Sequence, residues 1–304
     1  MRWKGALVAV LTLAIVVLLT VYLFIPYNLT ELSFSQPENP NFNLDGTLAQ
    51  MQFYENMRFP SSSISYRIED DCTLSKKASM KEAFALLENA TVLDFYPVIY
   101  GEEIIIECDS TALIEGGMFI AGEGGPTNIT VAGDLNIISS GKILLLREPK
   151  CSRPNVPLHE LLHVLGFDHS ENEDNVMYEI TRCKQTLGED IPMFINELYS
   201  IPSASDLVFE DAEGFMQGKY LNANLSIRNI GILPSEETNI LVYADDKVVK
   251  EIVLEKLDVG YGTKISLYNI WINKISISEI KFVIDSDFEE LSISNNEISL
   301  SLKK

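Results

Sequence analysis

Histidine is nearly absent from this chain. There are three in 304 residues, all between positions 159 and 169, so no spare imidazole lies elsewhere. Basic side chains are also scarce, 23 against 44 acidic ones, which sets the formal charge at −21. A phosphate backbone would be repelled by that balance, so nucleic acid is excluded as a partner. The ordinary consequence of such acidity is solubility. The glycine-rich stretch GEGGPTN (122–128) has no closing G-K-[ST], which excludes a phosphate loop and leaves a plain turn. No internal repeat is visible.

Apolar residues make up 46% of the chain, which excludes general disorder, and 304 residues suffice for two domains. One long uncharged run exists, GALVAVLTLAIVVLLTVYLFI at 5–25. A helix of that length spans a bilayer core of about 30 Å. Arg2 and Lys4 precede it, so residues 1–4 are expected in the cytoplasm and everything after 25 outside. A cleaved signal peptide is the rival reading. The run exceeds a usual signal core of about 7–15 residues, and no A-x-A-like site follows. The expectation is a single-pass cell-membrane protein.

Four cysteines, Cys72, Cys108, Cys151 and Cys183, agree with an oxidising exterior. They allow three pairings. The pairing in which each bond brackets a local unit is Cys72–Cys108 with Cys151–Cys183. Asn28, Asn89, Asn128 and Asn224 begin glycosylation sequons, which do not contradict an external location.

Residues 26–60 are rich in Pro and Asn and read as a linker. From 61 the pattern is mixed. SISYRIE alternates like a strand, and Met80, Ala83, Phe84 and Leu87 recur at helical spacing behind serine cap candidates. Further strands are expected at TVLDFYPVIY, EEIIIEC, ITVAGDLNII and GKILLLRE, and a helix at 189–200. IPSASD (201–206) marks a boundary. Beyond it Leu221, Ala223, Leu225 and Ile227 alternate, as do Ile298, Leu300 and Leu302, which suggests a β-sandwich over 205–304.

The three histidines sit in LHELLHVLGFDHS, residues 158–170. His159 and His163 are four apart, so a helix stacks them on one face with Cβ atoms about 5–6 Å apart. His169 lies six residues further. On a continued helix it would be about 9 Å along the axis and on another face. The helix must therefore stop and the chain turn back, and Gly166 stands where a left-handed residue is needed. Three neutral imidazoles suit zinc and leave one coordination position for water. Such an ion lowers the pKa of water to about 7. Glu160, next to His159, is then the general base and later the proton donor to the leaving amine.

HELLHVLGFDH fits H-E-x-x-H-x-x-G-x-x-H, the signature of the metzincin zinc endopeptidases, which this segment resembles. NVMY follows, and Met177 matches the methionine of the Met-turn, with Tyr178 beside it. The MY pair, the upstream YRIEDDC…AFALLENATVLDFYPV and SGKILLL resemble the matrixin branch. The resemblance covers roughly 61–200, and the domain it implies is expected at 61–202. It implies an α+β, zincin-like domain with a five-stranded mixed sheet, an active-site helix and a Met-turn. It also implies one catalytic Zn2+ on His159, His163 and His169, and a protein or peptide substrate extended along an edge strand within 118–138. Structural Ca2+ occurs in such families, but no ligand loop is identifiable here. Glu179 stands where matrixins have proline. Astacin-like members place a tyrosine zinc ligand two after the methionine; that position is also Glu179, with Tyr178 one after, so no tyrosine ligand is carried over. PKCSRPN lies directly before the helix, so Cys151 reads as a disulfide partner rather than a latency switch. Asp168, Glu171, Glu173 and Asp174 read as a solvated acidic turn, with Asp168 or Ser170 as a candidate partner to a metal ligand.

LSIRNIGILPSEETNILVYADDKVVKEIVLEKLDVG and DSDFEELSISNNEISL are similar to CARDB-type Ig-like domains of bacterial and archaeal surface proteins. Such modules act as spacers or adhesion units. A second function therefore stands beside the peptidase: a surface adhesion protein whose zinc domain is only a scaffold. Glu160 separates the two, because a closed structural zinc site has four protein ligands and needs no base.

Overall fold

The computed structural model describes residues 2–24, 29–34, 50–110, 114–115, 118–148, 151–273 and 277–302. Most of the expected linker, and the sequon residue Asn28, lie outside the described residues. Helix α1 (Arg2–Phe24) covers the apolar run. Its side chains are described only at 5, 7, 8 and 10–20, and these are exposed. Among the described residues no helix is long and apolar enough to cross a membrane.

The expected linker carries structure at both ends. Strand β1 (Leu29–Phe34) lies not in the N-terminal unit but in the C-terminal sheet. Strand β2 (Met57–Arg58) pairs in parallel with a strand of the histidine-bearing domain, and Met57, Arg58 and Phe59 are buried there. The segment shows no hydrophobic period of its own, because the apolar side chains it buries, Leu32, Met57 and Phe59 among them, are covered by partners distant in the chain.

That first domain continues with β3 (Ser63–Ile68), α2 (Leu74–Ala90), β4 (Asp94–Pro97) and β5 (Ile104–Cys108). Two short strands, β6 (Ile114–Glu115) and β7 (Met118–Phe119), pair with each other. Then come β8 (Gly122–Ala132), β9 (Leu135–Leu145), α3 (Asn155–Val164) and α4 (Asp190–Leu198). The sheet runs β2-β9-β5-β3-β4, all parallel, with β8 antiparallel on β9. Helix α2 starts at Thr73, whose hydroxyl accepts from Lys76 N–H at 3.2 Å, so the cap is this threonine rather than a serine. Its buried face holds Met80, Ala83, Phe84 and Leu87 as the spacing predicts. Phe84 stacks between Tyr66 of β3 and Phe95 of β4, with centroids 4.3 and 4.7 Å away. Disulfides join Cys72 to Cys108 and Cys151 to Cys183.

The GEGGPTN stretch is not a turn. It forms the first half of β8, and β9 is the strand paired with it among the described residues. The register shifts around Pro126 and Asn128, where a proline is tolerated because no partner lies on its outer side.

The C-terminal domain contains β10 (Leu207–Gln217), β11 (Tyr220–Asn229), β12 (Thr238–Ala244), β13 (Lys247–Leu254), β14 (Gly262–Trp271), β15 (Glu279–Asp285) and β16 (Glu297–Leu302). With β1 they form one antiparallel path, β13-β12-β15-β16-β1-β10-β11-β14. Strand β1 bridges two half-sheets that wrap one sandwich-like core, including Leu32, Phe209, Leu225, Val242 and Phe282. Strict alternation in β12 (Thr238, Ile240, Val242 and Ala244 buried) produces that inner face. A third, small core lies where the domains meet, from Ala132, Leu135 and Ile137 of the β8–β9 hairpin to Ile201 and Ile232.

Candidate metal centre

Helix α3 builds the centre because nearly all of it is buried, Val156 being only partly so, and both of its histidines face protein rather than solvent. The Cys151–Cys183 bond ties the chain before α3 to the segment after Met177. The Asn155 side chain repeats the tie, donating to the carbonyl of Arg182 at 2.7 Å.

The helix ends as the glycine requires. Gly166 has φ +95°, its N–H reaches the carbonyl of His163 at 2.9 Å, and Phe167 N–H reaches Leu162 at 3.0 Å. A side chain there would also meet Met57 Cβ at 2.7 Å. The reversed chain brings His169 back. His163 Nε2 lies 3.0 Å from His159 Nε2 and 3.2 Å from His169 Nε2. All three ligand atoms fall within 4.8 Å of one another.

Their other nitrogens decide what this cluster can hold. His159 Nδ1 lies 2.7 Å from the carbonyl of Val176, and His163 Nδ1 lies 2.7 Å from that of Phe167. A carbonyl only accepts, so both Nδ1 atoms carry the proton and both Nε2 atoms keep a bare lone pair. Burial keeps the rings neutral, pulling His159 down to about 4 and His163 below its ordinary value. Two bare lone pairs 3.0 Å apart repel unless a cation lies between them. Tetrahedral zinc with bonds of about 2.0–2.1 Å separates its ligand nitrogens by roughly 3.3–3.4 Å, close to these spacings. The donor set fits zinc.

Glu160 is buried beside the cluster. Burial, and then the charge of Glu123, push its carboxyl up to about 8. Strand β8 passes directly over it. A Cβ on Gly122 would meet Glu160 Cγ and Oε1 at 2.9 Å, and one on Gly124 would meet the Glu160 carbonyl oxygen at 2.3 Å. These glycines let the sheet edge lie against the helix backbone.

Met177 is buried, and its N–H donates to Asn175 Oδ1 at 2.8 Å. The preceding carbonyl, of Val176, is the one that orients His159. Tyr178 sits by Arg182, whose guanidinium carbon is 5.6 Å from the ring centre. Asp168 turns to the backbone N–H of His169 at 2.7 Å, and Ser170 Oγ accepts from Asn172 N–H at 3.2 Å, so neither reaches a ring nitrogen. Glu173 of the acidic turn pairs with Arg182 at 2.5 Å.

Sequence reasoning missed several contributors. The Phe53 ring stacks on His163 with centroids 5.5 Å apart, from a segment expected to be linker. Gly122, Gly124 and the two orienting carbonyls were also missed. Only the glycine density of 122–125 signalled a close backbone approach.

No curated protein matches the chain. Among solved structures it is similar to High choriolytic enzyme 1, a hatching enzyme zinc-protease from Oryzias latipes (medaka fish), at 18% identity and a TM-score of 0.24. The match covers 35% of this chain and 44% of that one, so the chain spans less than half of that structure. Residues 204–300 match the CARDB family model, and the C-terminal sandwich is a CARDB domain.

Proposed function

We propose that this chain is a membrane-anchored, externally facing zinc endopeptidase. The observation that carries the reading is the trio of ring nitrogens with two carbonyl-fixed tautomers, a set that suits a cation. His159, His163 and His169 hold the ion. When bound, zinc supplies Lewis acidity and makes water nucleophilic near neutral pH.

The chain's own groups do the rest. The Glu160 carboxyl takes a proton from the attacking water and passes it to the leaving amine. Burial raises its proton affinity, and the charge of a bound cation beside it would pull that affinity back down so that the carboxylate can accept. The outer edge of β8 offers N–H and C=O groups to an extended peptide, which would bind antiparallel to it. Gly122 and Gly124 bring that edge close to Glu160.

The anchor rests on the uncharged run at 5–25 read as sequence, since among the described residues no helix alone is long and apolar enough to cross. Where the side chains of α1 are described they are exposed, Leu7, Val10, Leu13 and Leu18 each by more than 60%. The Thr20 hydroxyl bonds back to the Val16 carbonyl at 2.9 Å, satisfying itself without water. Such a helix suits an apolar solvent. Arg2 and Lys4 keep the short tail cytoplasmic and the folded domains outside.

The CARDB match favours a second reading, in which the sandwich binds a surface partner and the zinc domain is a scaffold. One experiment separates the two. Full-length protein in detergent is assayed on casein and a peptide library, with zinc measured, beside Glu160→Ala. The peptidase reading expects retained zinc and a rate lower by about 10²–10⁴. Equal cleavage by the variant, or no cleavage by a zinc-loaded wild type, defeats it.

A further inference from the structure

A second polar cluster lies far along the chain from the histidines, where the CARDB domain begins. Asp206 and Asn295 are both 0% exposed, and Asn296 is 5% exposed. Asp206 precedes β10, and the two asparagines end the loop between β15 and β16. The loop is stitched to the start of β10: Leu291 N–H donates to the Ser205 carbonyl at 2.9 Å, and Leu207 N–H to Glu290 Oε2 at 2.6 Å.

The hydrogen bonds fix which atoms face which. Asn295 Nδ2 donates to Asp206 Oδ1 at 3.0 Å, and Asn296 Nδ2 donates to Glu290 Oε1 at 2.7 Å. The Ser286 hydroxyl also donates to Glu290 Oε1. Flipping either amide would set its oxygen against a carboxylate oxygen, so neither can flip. Three buried oxygens are left without a donor: Asp206 Oδ2, Asn295 Oδ1 and Asn296 Oδ1. Asp206 cannot swing away. Its carbonyl accepts from Ile230 N–H at 2.8 Å and its own N–H donates to Asn229 Oδ1 at 3.1 Å.

Every orphan is an acceptor, and each costs about 1–3 kcal/mol if left so. The cluster is short of positive charge, since no salt bridge reaches Asp206 or Glu290 among the described residues. Burial and then Glu290 raise the Asp206 carboxyl to about 6, against the pull of Asn295 and the Ser292 backbone, and a cation beside it would favour the ionised form. A carboxylate with neutral amide oxygens is a hard, oxygen-only donor set, the kind calcium takes.

We propose that Asp206, Asn295 and Asn296, backed by Glu290, bind a calcium ion that fastens the β15–β16 loop to the start of the CARDB domain. The site is separate from the histidine centre and does not depend on what that centre does. It adjoins the junction between domains, because Leu291 of the same loop packs on the core shared by Ile201 and Ile232.

The test uses full-length protein in detergent, freed of calcium and then dialysed against radioactive Ca2+. The expected result is a bound ion and a thermal midpoint several degrees higher in millimolar Ca2+. Asp206→Asn keeps the shape and removes the charge. It should lose both the ion and the midpoint shift, with zinc content unchanged. Amide hydrogen exchange on the wild type locates the ion without any variant, and protection should appear at 205–207 and 286–296. No bound calcium, equal calcium in Asp206→Asn, or protection confined to residues 61–200 would each overturn the proposal.

Discussion

At the residue scale, the centre depends as much on atoms a side chain lacks as on those it has. Gly122 and Gly124 meet Glu160 differently, one against its carboxyl and the other against its backbone. Gly124→Ala drives a methyl group into a main-chain oxygen that cannot move alone, so we expect a stability loss of about 1–3 kcal/mol in urea unfolding. Gly122→Ala presses on a flexible side chain. It should leave the unfolding midpoint almost unchanged while lowering kcat. Tyr199 gives a second residue-level expectation. Its hydroxyl accepts from Phe59 N–H at 3.0 Å, and burial pushes it up to about 12 from 10.0, opposed by Arg58 and by that hydrogen bond. Below pH 10 the folded and unfolded chains both hold the proton and nothing is lost. Between pH 10 and 12 the unfolded chain releases it first, so stability falls by roughly 2 kcal/mol as pH rises. Tyr199→Phe should show a flatter fall over that range in urea midpoints. Its stability at neutral pH should be about 1 kcal/mol lower, from the stranded Phe59 N–H. The convergence of the three imidazoles, the place of Glu160 beside them and the turn at Gly166 were legible in the sequence because position follows from spacing within eleven residues. Phe53 and the carbonyls of Val176 and Phe167 were not, since a stacking partner or a backbone acceptor leaves no pattern in residue identity.

At the scale of elements, periodicity served where one face is buried by a whole domain. Helix α2 and strands β11 and β16 fall where helical spacing and alternation put them. It failed for β8, where glycine suggests a turn but serves close packing. It failed too for β1, whose short LTELSF carries little signal outside its sheet. Leu32 is buried at the point where β1 meets both β10 and β16. Removing the strand would leave two ladders without partners in mid-sheet. A chain beginning at residue 35 should therefore melt lower than one beginning at residue 29 and should self-associate in light scattering, while the longer chain stays dispersed.

For the whole molecule, the two domains are joined by more than a connecting segment. The buried Arg58 donates to the carbonyls of Leu198 and Ile201 at 3.0 and 2.8 Å and to Ser203 Oγ at 3.1 Å, holding the exit of the first domain. The hairpin that includes β8 ends in the apolar core shared with the CARDB domain. One end of β8 thus lies on Glu160 and the other on the neighbouring domain, a relation no local stretch of sequence encodes.

Strand β1 also sets a leash. Four residues separate Phe24, where α1 ends, from Leu29, where β1 begins. Fully stretched, the five Cα steps between the two reach about 18 Å. If α1 is held in a bilayer as proposed, the sandwich must hug the lipid surface, and the histidine centre attached to it can patrol only a thin layer of space. Its targets would be chains that come to the same membrane rather than proteins drifting in the bulk outside.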